Sequence, residues 1–156
     1  MISQNSKKSQ AENKLHDSEN MFRILFETTN NAIFIMKENF FIDCNRKTLE
    51  MFRCEHSDII GHTLMEFSPA IQPDGTDSSK MAFAKIDAAW KGEQQIFEWQ
   101  HKKFDGTLFD TEIRLNLVQL STGPLILATV KDFTDHKIAE NALSDSQNKY
   151  KTLFQK

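Results

Sequence analysis

Cysteine, proline and tyrosine are scarce in this 156-residue chain, at two, three and one, with only five glycines. Cys44 and Cys54 stand outside any CxxC spacing, which excludes a disulfide framework and reads as two free thiols in a reducing compartment. The five histidines, His16, His56, His62, His101 and His136, are scattered without ligand spacing, so no metal site is expected. Positive charge shows no surplus: 19 basic residues face 22 acidic ones, a net charge of -3. Because no Lys/Arg cluster recurs on one predicted face, nucleic-acid and anionic-membrane binding have no electrostatic footprint. Long apolar runs are missing too. The longest, 32–36 and 124–130, fall far short of the roughly 20 residues that cross a bilayer, and residues 3–20 are too polar for a signal peptide. A cytoplasmic segment without direct membrane insertion is the expectation. Catalytic machinery is equally absent, since no nucleophile with a base, phosphate loop or carboxylate pair occurs at usable spacing. We therefore expect no enzyme activity from this segment by itself.

What is present is a core. Thirteen phenylalanines and a 39% hydrophobic fraction suit one folded domain with tails. Its clearest element is a hairpin over 96–103 and 107–120, turning at Asp105-Gly106, where glycine accepts the positive φ of the turn. Alternation puts Phe97, Trp99 and His101 on one face with Phe109, Thr111, Ile113, Leu115 and Leu117, and leaves the other face polar. A further strand, 125–131, is apolar at successive positions, as for a central strand covered on both faces.

Upstream, helical spacing from Ala11 aligns Leu15, Phe22 and Leu25, with Met21 and Phe26 beside them, into an amphipathic N-terminal helix that ends at Asn30-Asn31. Residues 1–10 read as polar and frayed. Strands at 32–36 and 40–43 follow. Asn45 should cap a helix over 46–52, and Ser57 a very short one stopped at Gly61. One more turn is expected over 64–67 and a loop over 68–78. A helix over 79–91 then presents Phe83, Ile86 and Trp90 inward. Two strands, short helices and three strands make an α+β domain, an antiparallel sheet with helices packed on one face.

The end helices repeat each other. Residues 11–20 align with 139–148 at a constant offset of 128, placing Phe22 on Tyr150, Leu25 on Leu153 and Phe26 on Phe154. A period longer than a domain core indicates tandem domains. We expect a polar linker over 1–13, the domain with its flanking helix over 14–134, and a C-terminal connector helix over 135–156 leading into a next domain.

Across about residues 14–136 the sequence resembles a PAS domain of the bacterial sensory-box type. The residues that carry the resemblance are Ile42-Asp43-Cys44-Asn45 after the first strand, Ile59-Ile60-Gly61-His62, Phe97-Glu98-Trp99, Phe104-Asp105-Gly106-Thr107-Leu108-Phe109, and Lys131-Asp132-Phe133-Thr134-Asp135-His136-Lys137. The last is similar to the family's "RDITERK" exit signature, and the repeated helix to the "ALRESEERYRTLFE" linker between successive PAS domains. The resemblance implies a five-stranded antiparallel sheet enclosing a pocket. It also implies a sensory role relayed through Asp132, Phe133 and Thr134 to an output such as a histidine kinase or diguanylate cyclase. No GG(D/E)EF run is visible, and His136 reads as a solvated linker residue.

Cofactor chemistries implied by the resemblance can be tested by position. Leu64 stands where light-sensing relatives carry the adduct-forming cysteine, which excludes a covalent flavin adduct, and Thr111 and Val130 stand where amides would hold a non-covalent flavin. No histidine lies in 79–91 for haem; His101 is the one possible axial ligand, and a lone inward histidine is more often structural. The cofactor is therefore unknown: none, or a small apolar molecule. The candidate pocket comprises Phe34, Met36, Phe97, Trp99, His101, Thr111, Ile113, Leu115, Ala128 and Val130 from the sheet, closed by Phe52, Phe67, Met81, Phe83, Ile86 and Trp90. The same side chains could simply fill a dense core. On the opposite face Ile33, Ile35, Leu125 and Leu127 need cover from Leu15, Phe22 and Leu25 of the same chain or of a twin subunit, so a parallel homodimer is expected. Two functions remain open: a small-molecule sensor, or a ligand-free dimerisation and spacing module.

Overall fold

The computed structural model describes residues 2–134 with 142 and 143, and side chains from Lys7 onward. Helix α1 (Ile2–Thr28) precedes strands β1 (Ala32–Lys37) and β2 (Phe40–Cys44). Helices α2 (Arg46–Phe52) and α3 (His56–Ile59), a 3-10 turn (Leu64–Phe67) and helix α4 (Ser78–Trp90) then lead to strands β3 (Gln95–Lys102), β4 (Leu108–Leu120) and β5 (Gly123–Asp132). The strands form one antiparallel sheet in the order β2-β1-β5-β4-β3, an α+β architecture with its helices over one face. The last strand in sequence is therefore the middle strand in space.

Alternation decides which face is buried. Phe34, Met36, Trp99, His101, Phe109, Thr111, Ile113, Leu115, Ile126, Ala128 and Val130 all point under the helices and are buried. Ile33, Ile35, Leu125 and Leu127 on the reverse face are half-buried. In the β3–β4 hairpin Lys102 pairs with Leu108. The intervening loop closes through Lys103 N–H to the Thr107 carbonyl (2.8 Å) and Gly106 N–H to the Lys103 carbonyl (2.9 Å). Gly106 takes φ 91°, which a side chain would oppose.

Local chemistry places the helices. Asn45 caps α2, its side chain accepting from Thr48 N–H. The sequence reading of α3 needs correction: Glu55, not Ser57, is its cap, in a reciprocal box with Asp58, whose carboxylate accepts from the Glu55 N–H. The turn at Leu64–Phe67 uses the same device through Thr63 and Glu66. Helix α4 starts one residue earlier than expected because Asp77 caps it through Lys80 N–H.

Helix α1 also differs from expectation. It begins at Ile2 rather than near Ala11, so the polar opening residues are helical. Among its described side chains only those of the last turn are anchored: Phe26 is buried, its carbonyl accepts from Asn45 Nδ2 at 2.8 Å, and Glu27 accepts from Arg46 N–H at 2.9 Å. Leu15, Phe22 and Leu25 are 61%, 58% and 63% exposed, so they do not cover the reverse sheet face of their own chain. The proposed second repeat, 139–148 with Tyr150, Leu153 and Phe154, lies outside the described residues except for 142 and 143.

Candidate functional site

The core under the helices is built on aromatic rings. Phe52, fully buried, meets Phe34, Phe67, His101 and Phe109 edge-on, with centroids 5.0–5.7 Å away, the arrangement ring quadrupoles favour. Beside this cluster lies a void of about 20 Å³, lined by Phe34, Met36, Phe41, Leu64, Ile86, His101, Ile113, Leu115, Ala128 and Val130. That volume holds about one water. Eight of the ten lining residues were named from sequence. Leu64 was singled out only as the position of the adduct-forming cysteine, and Phe41 not at all, because it sits opposite Met36 across an irregular register that simple alternation does not anticipate.

Polar atoms of His101, Thr111, Trp99 and Ser68 sit among these rings. His101 is 1% exposed, and its Nδ1 lies 3.2 Å from the Phe67 carbonyl. A carbonyl can only accept, so Nδ1 carries the hydrogen and the neutral ring leaves Nε2 as an acceptor; Nε2 is buried without a partner. Burial pulls the His101 pKa down to about 4, partly opposed by the Phe67 bond. Thr111 donates its hydroxyl to the Trp99 carbonyl at 2.9 Å. Trp99 Nε1 donates to Ser68 Oγ at 2.9 Å, and Ser68 in turn to the Leu64 carbonyl at 2.8 Å.

Outside Trp99 an open cleft of about 230 Å³ has an apolar floor from Met81, Phe97 and Trp99 and a polar rim including Gln72, Lys85 and Asp110. Lys85 Nζ stands 5.3 Å from the Phe97 ring centre. Gln72 closes the rim by imitating a strand, accepting from Gln100 N–H (2.8 Å) and donating to the Gln100 carbonyl (3.2 Å). This occupies hydrogen-bonding groups on the outer edge of β3.

The expected inward stripe of α4 is only partly correct. Ile86 is buried, but Phe83 is 69% exposed, because the helix turns Ser78, Ala82, Ile86 and Ala89 to the sheet and position 83 falls beside that stripe. Small alanines let the helix approach closely. Trp90, half-buried, lines neither cavity; its Nε1 donates to the Glu38 carbonyl at 3.2 Å and straps α4 to the β1–β2 turn. Phe52, Phe67, Met81 and Phe97 divide between the ring cluster and the outer cleft.

Two connections link this interior to the chain ends. Thr111 pairs with Asp132, and Phe133 N–H donates to the Asp110 carbonyl at 2.9 Å, so the sheet bonding runs past the end of β5. Asp132 Oδ1 then accepts from Thr134 N–H at 3.0 Å and turns the chain. At the other connection Asn45 is fully buried and fully used. Its Oδ1 accepts from Ile33 N–H, Thr48 N–H and the Thr48 hydroxyl at 2.9–3.1 Å, and its Nδ2 donates to the Phe26 and Asn31 carbonyls. One side chain thus joins α1, β1 and α2. The thiols take no part: burial pushes Cys44 up to about 12 and Cys54 up to about 11, and both are free.

A model of the PAS domain family matches residues 30–135, more than half of the chain. The chain belongs to the PAS-domain family. Solved structures agree on the fold. A PAS domain of an HTR-like protein from Haloarcula marismortui is 18% identical with a TM-score of 0.62, the match covering 80% of this chain and 98% of that one. A domain of a sensory box sensor histidine kinase/response regulator from Geobacter sulfurreducens is 24% identical with a TM-score of 0.63, covering 76% and 96%. A PAS domain, in complex with ethanol, of a LuxR-family transcriptional regulator from Burkholderia thailandensis is 16% identical with a TM-score of 0.55, covering 71% and 96%. Comparison with curated proteins gave no match.

As a PAS domain the chain has a sensory fold, and among the described residues no helix is long and apolar enough to cross a membrane. Leu64 offers no thiol, Val130 no polar group, and the Thr111 hydroxyl hydrogen is committed to Trp99. Helix α4 carries no histidine, and the void beside His101 is an order of magnitude smaller than typical cofactor sites of several hundred Å³.

Proposed function

We propose that this PAS domain is a sensory module of a signal-transduction protein, in which a small molecule bound among the sheet's inward residues biases the C-terminal exit. The observation that carries this reading is the position of β5. Its Ala128 and Val130 line the buried void, it lies between β1 and β4, and it ends at Asp132 with the exit turn bonded directly to the sheet. A shift of a central strand therefore has a short route to Asp132, Phe133 and Thr134. Such a relay requires the ligand to bind the two states with different affinity.

In this reading residues 14–134 form the sensory unit, 135–156 connect to an output such as a histidine kinase or diguanylate cyclase, and the repeat at offset 128 marks a tandem array. Likeness to a domain of a sensor histidine kinase supports the output class, and the ethanol complex of a neighbour supports a small, weakly polar ligand. A parallel homodimer would bury the exposed Leu15, Phe22 and Leu25 of α1 together with Ile33, Ile35, Leu125 and Leu127. A helix packed only at its last turn is marginal alone. A monomer by static light scattering at high micromolar concentration would defeat the dimer.

One observation favours a second reading, a ligand-free dimerisation and spacing module: the core void is only about 20 Å³. Native mass spectrometry of freshly purified protein separates the two. A retained small molecule supports the sensor, whereas a clean apo mass that no added solute changes supports the spacer.

A further inference from the structure

No single stretch of the sequence is cationic, yet folding gathers cations from three separate places. Lys47 and Arg53 from α2 and its C-cap, Lys103 at the start of the hairpin loop and Lys131 near the end of β5 line one recess of about 450 Å³, together with Asn30 and Asn31 from the entry to β1. A merely solvated face would leave its lysines exposed, but Lys47 and Lys103 are half-buried. Among the described residues none of these three lysines makes an ion pair. Lys103 Nζ stands 5.0 Å from the centre of the Phe109 ring, which attracts its charge and leaves its N–H groups for other acceptors. Arg53 reaches Asp105 through Nη1, at 2.9 Å, a single arm of a five-donor fork. The opposing charge in the recess is smaller: Glu50 and Asp132 line it too, and Asp132 already accepts from Thr134 N–H. Ammonium groups drawn partly out of water without a counter-charge cost free energy that an anion would recover.

We propose that this recess binds a small, soluble, multiply charged phosphate anion, held by Lys47, Arg53, Lys103 and Lys131. The donors belong to side chains on different elements and so approach from several directions, which suits the tetrahedral oxygens of a phosphate better than the two coplanar oxygens of a carboxylate. The volume exceeds that of one phosphate group and lies within the range of small-molecule sites, so the class is a diphosphate or a phosphorylated metabolite. The site goes beyond the core-ligand reading and does not depend on it, since the recess and the core void share no lining residue. Its walls include both the entry at Asn30-Asn31 and the exit at Lys131-Asp132. An anion held there would tie the two ends of the domain to α2 and the hairpin loop, and would act on the exit turn without passing through the core.

The test titrates sodium pyrophosphate into the protein over residues 1–156 at about 150 mM salt, where exposed charges are largely screened, and follows backbone amides by NMR. We expect saturable shifts at Asn31, Lys47, Lys103 and Lys131 that extend to Thr134, and binding of succinate, a dianion without phosphate, roughly tenfold weaker. Lys47→Gln combined with Lys103→Gln should weaken pyrophosphate at least tenfold, as for the loss of one charged hydrogen bond or more. Lys47→Arg should retain binding, and Lys80→Gln, on the exposed side of α4, should leave it unchanged. Shifts that never saturate and spread equally to Lys80 and Lys85, or a double variant that binds unimpaired, would overturn the site. Succinate binding as tightly as pyrophosphate would overturn the phosphate class. A sedimentation arm separates the sources of phosphate: protein that pellets with vesicles of phosphatidylcholine and phosphatidic acid but ignores pyrophosphate would overturn a soluble ligand. The wild-type comparison of pyrophosphate with succinate decides the matter even if the double variant does not fold.

Discussion

Burying His101 gives the domain a stability that depends on pH in a defined window. The folded ring titrates at about 4 instead of the ordinary 6.5, so between those values the unfolded chain binds a proton that the folded one refuses. Stability from this residue is complete above the unfolded value and declines as pH falls. The difference is worth about 2 kcal/mol at pH 5 and about 3 kcal/mol at pH 4 relative to pH 7. Carboxylates contribute their own acid dependence. Asp105 is drawn down to about 2 by the Thr107 N–H and hydroxyl and by Arg53, and Glu66 is lowered mainly by His62. Those terms are common to wild type and His101→Phe, and they cancel in the difference. Urea unfolding of both proteins at pH 7, 6 and 5 should give curves that diverge with the wild type losing more. Parallel curves would refute the claim that His101 is held neutral in the folded core.

Trp99→Ala should cost about 3 to 5 kcal/mol by urea unfolding, because the ring is buried, stacks edge-on against Phe97 and donates to Ser68; a loss below about 1 kcal/mol would refute its role as a packed core residue. Asn45→Asp should cost about 3 kcal/mol or more, since a carboxylate keeps the cap but cannot donate to the Phe26 and Asn31 carbonyls. Amide exchange would then rise at the end of α1 ahead of the hairpin. Phe83→Gln should leave stability within about 0.5 kcal/mol, as for other exposed positions, and a thermal shift of several degrees would put Phe83 in an interface.

The sheet was legible because a period of two, read from Phe97, Trp99 and His101 against Thr111, Ile113 and Leu115, is a direct consequence of strand geometry. The cap at Asn45 was legible for the same local reason. The extent of helix α4 was legible too, but its inward face only at Ile86, because the buried stripe consists of Ser78, Ala82, Ile86 and Ala89, and ranking by hydrophobicity chose Phe83 over the alanines beside it. Cavity volume was beyond reach in principle. The same buried side chains enclose either a pocket or a packed core, and the outcome turns on rotamers and register, including the irregularity between Ile35 and Met36. The unpartnered nitrogen of His101 was equally hidden: an inward histidine can be read from alternation, but not which of its two nitrogens finds a carbonyl.

The pairing of Ala32 with Val130 has a mechanical corollary. The backbone that enters the sheet at Ala32 and the backbone that leaves at Asp132 stand on neighbouring strands, within roughly 10 Å of each other. A hundred residues are therefore traversed with almost no net advance along the polypeptide. The domain hangs from its two points of attachment like a pendant rather than being threaded between them. Grafting residues 32–132 into a surface hairpin of an unrelated host would therefore leave that host's strands nearly where they were.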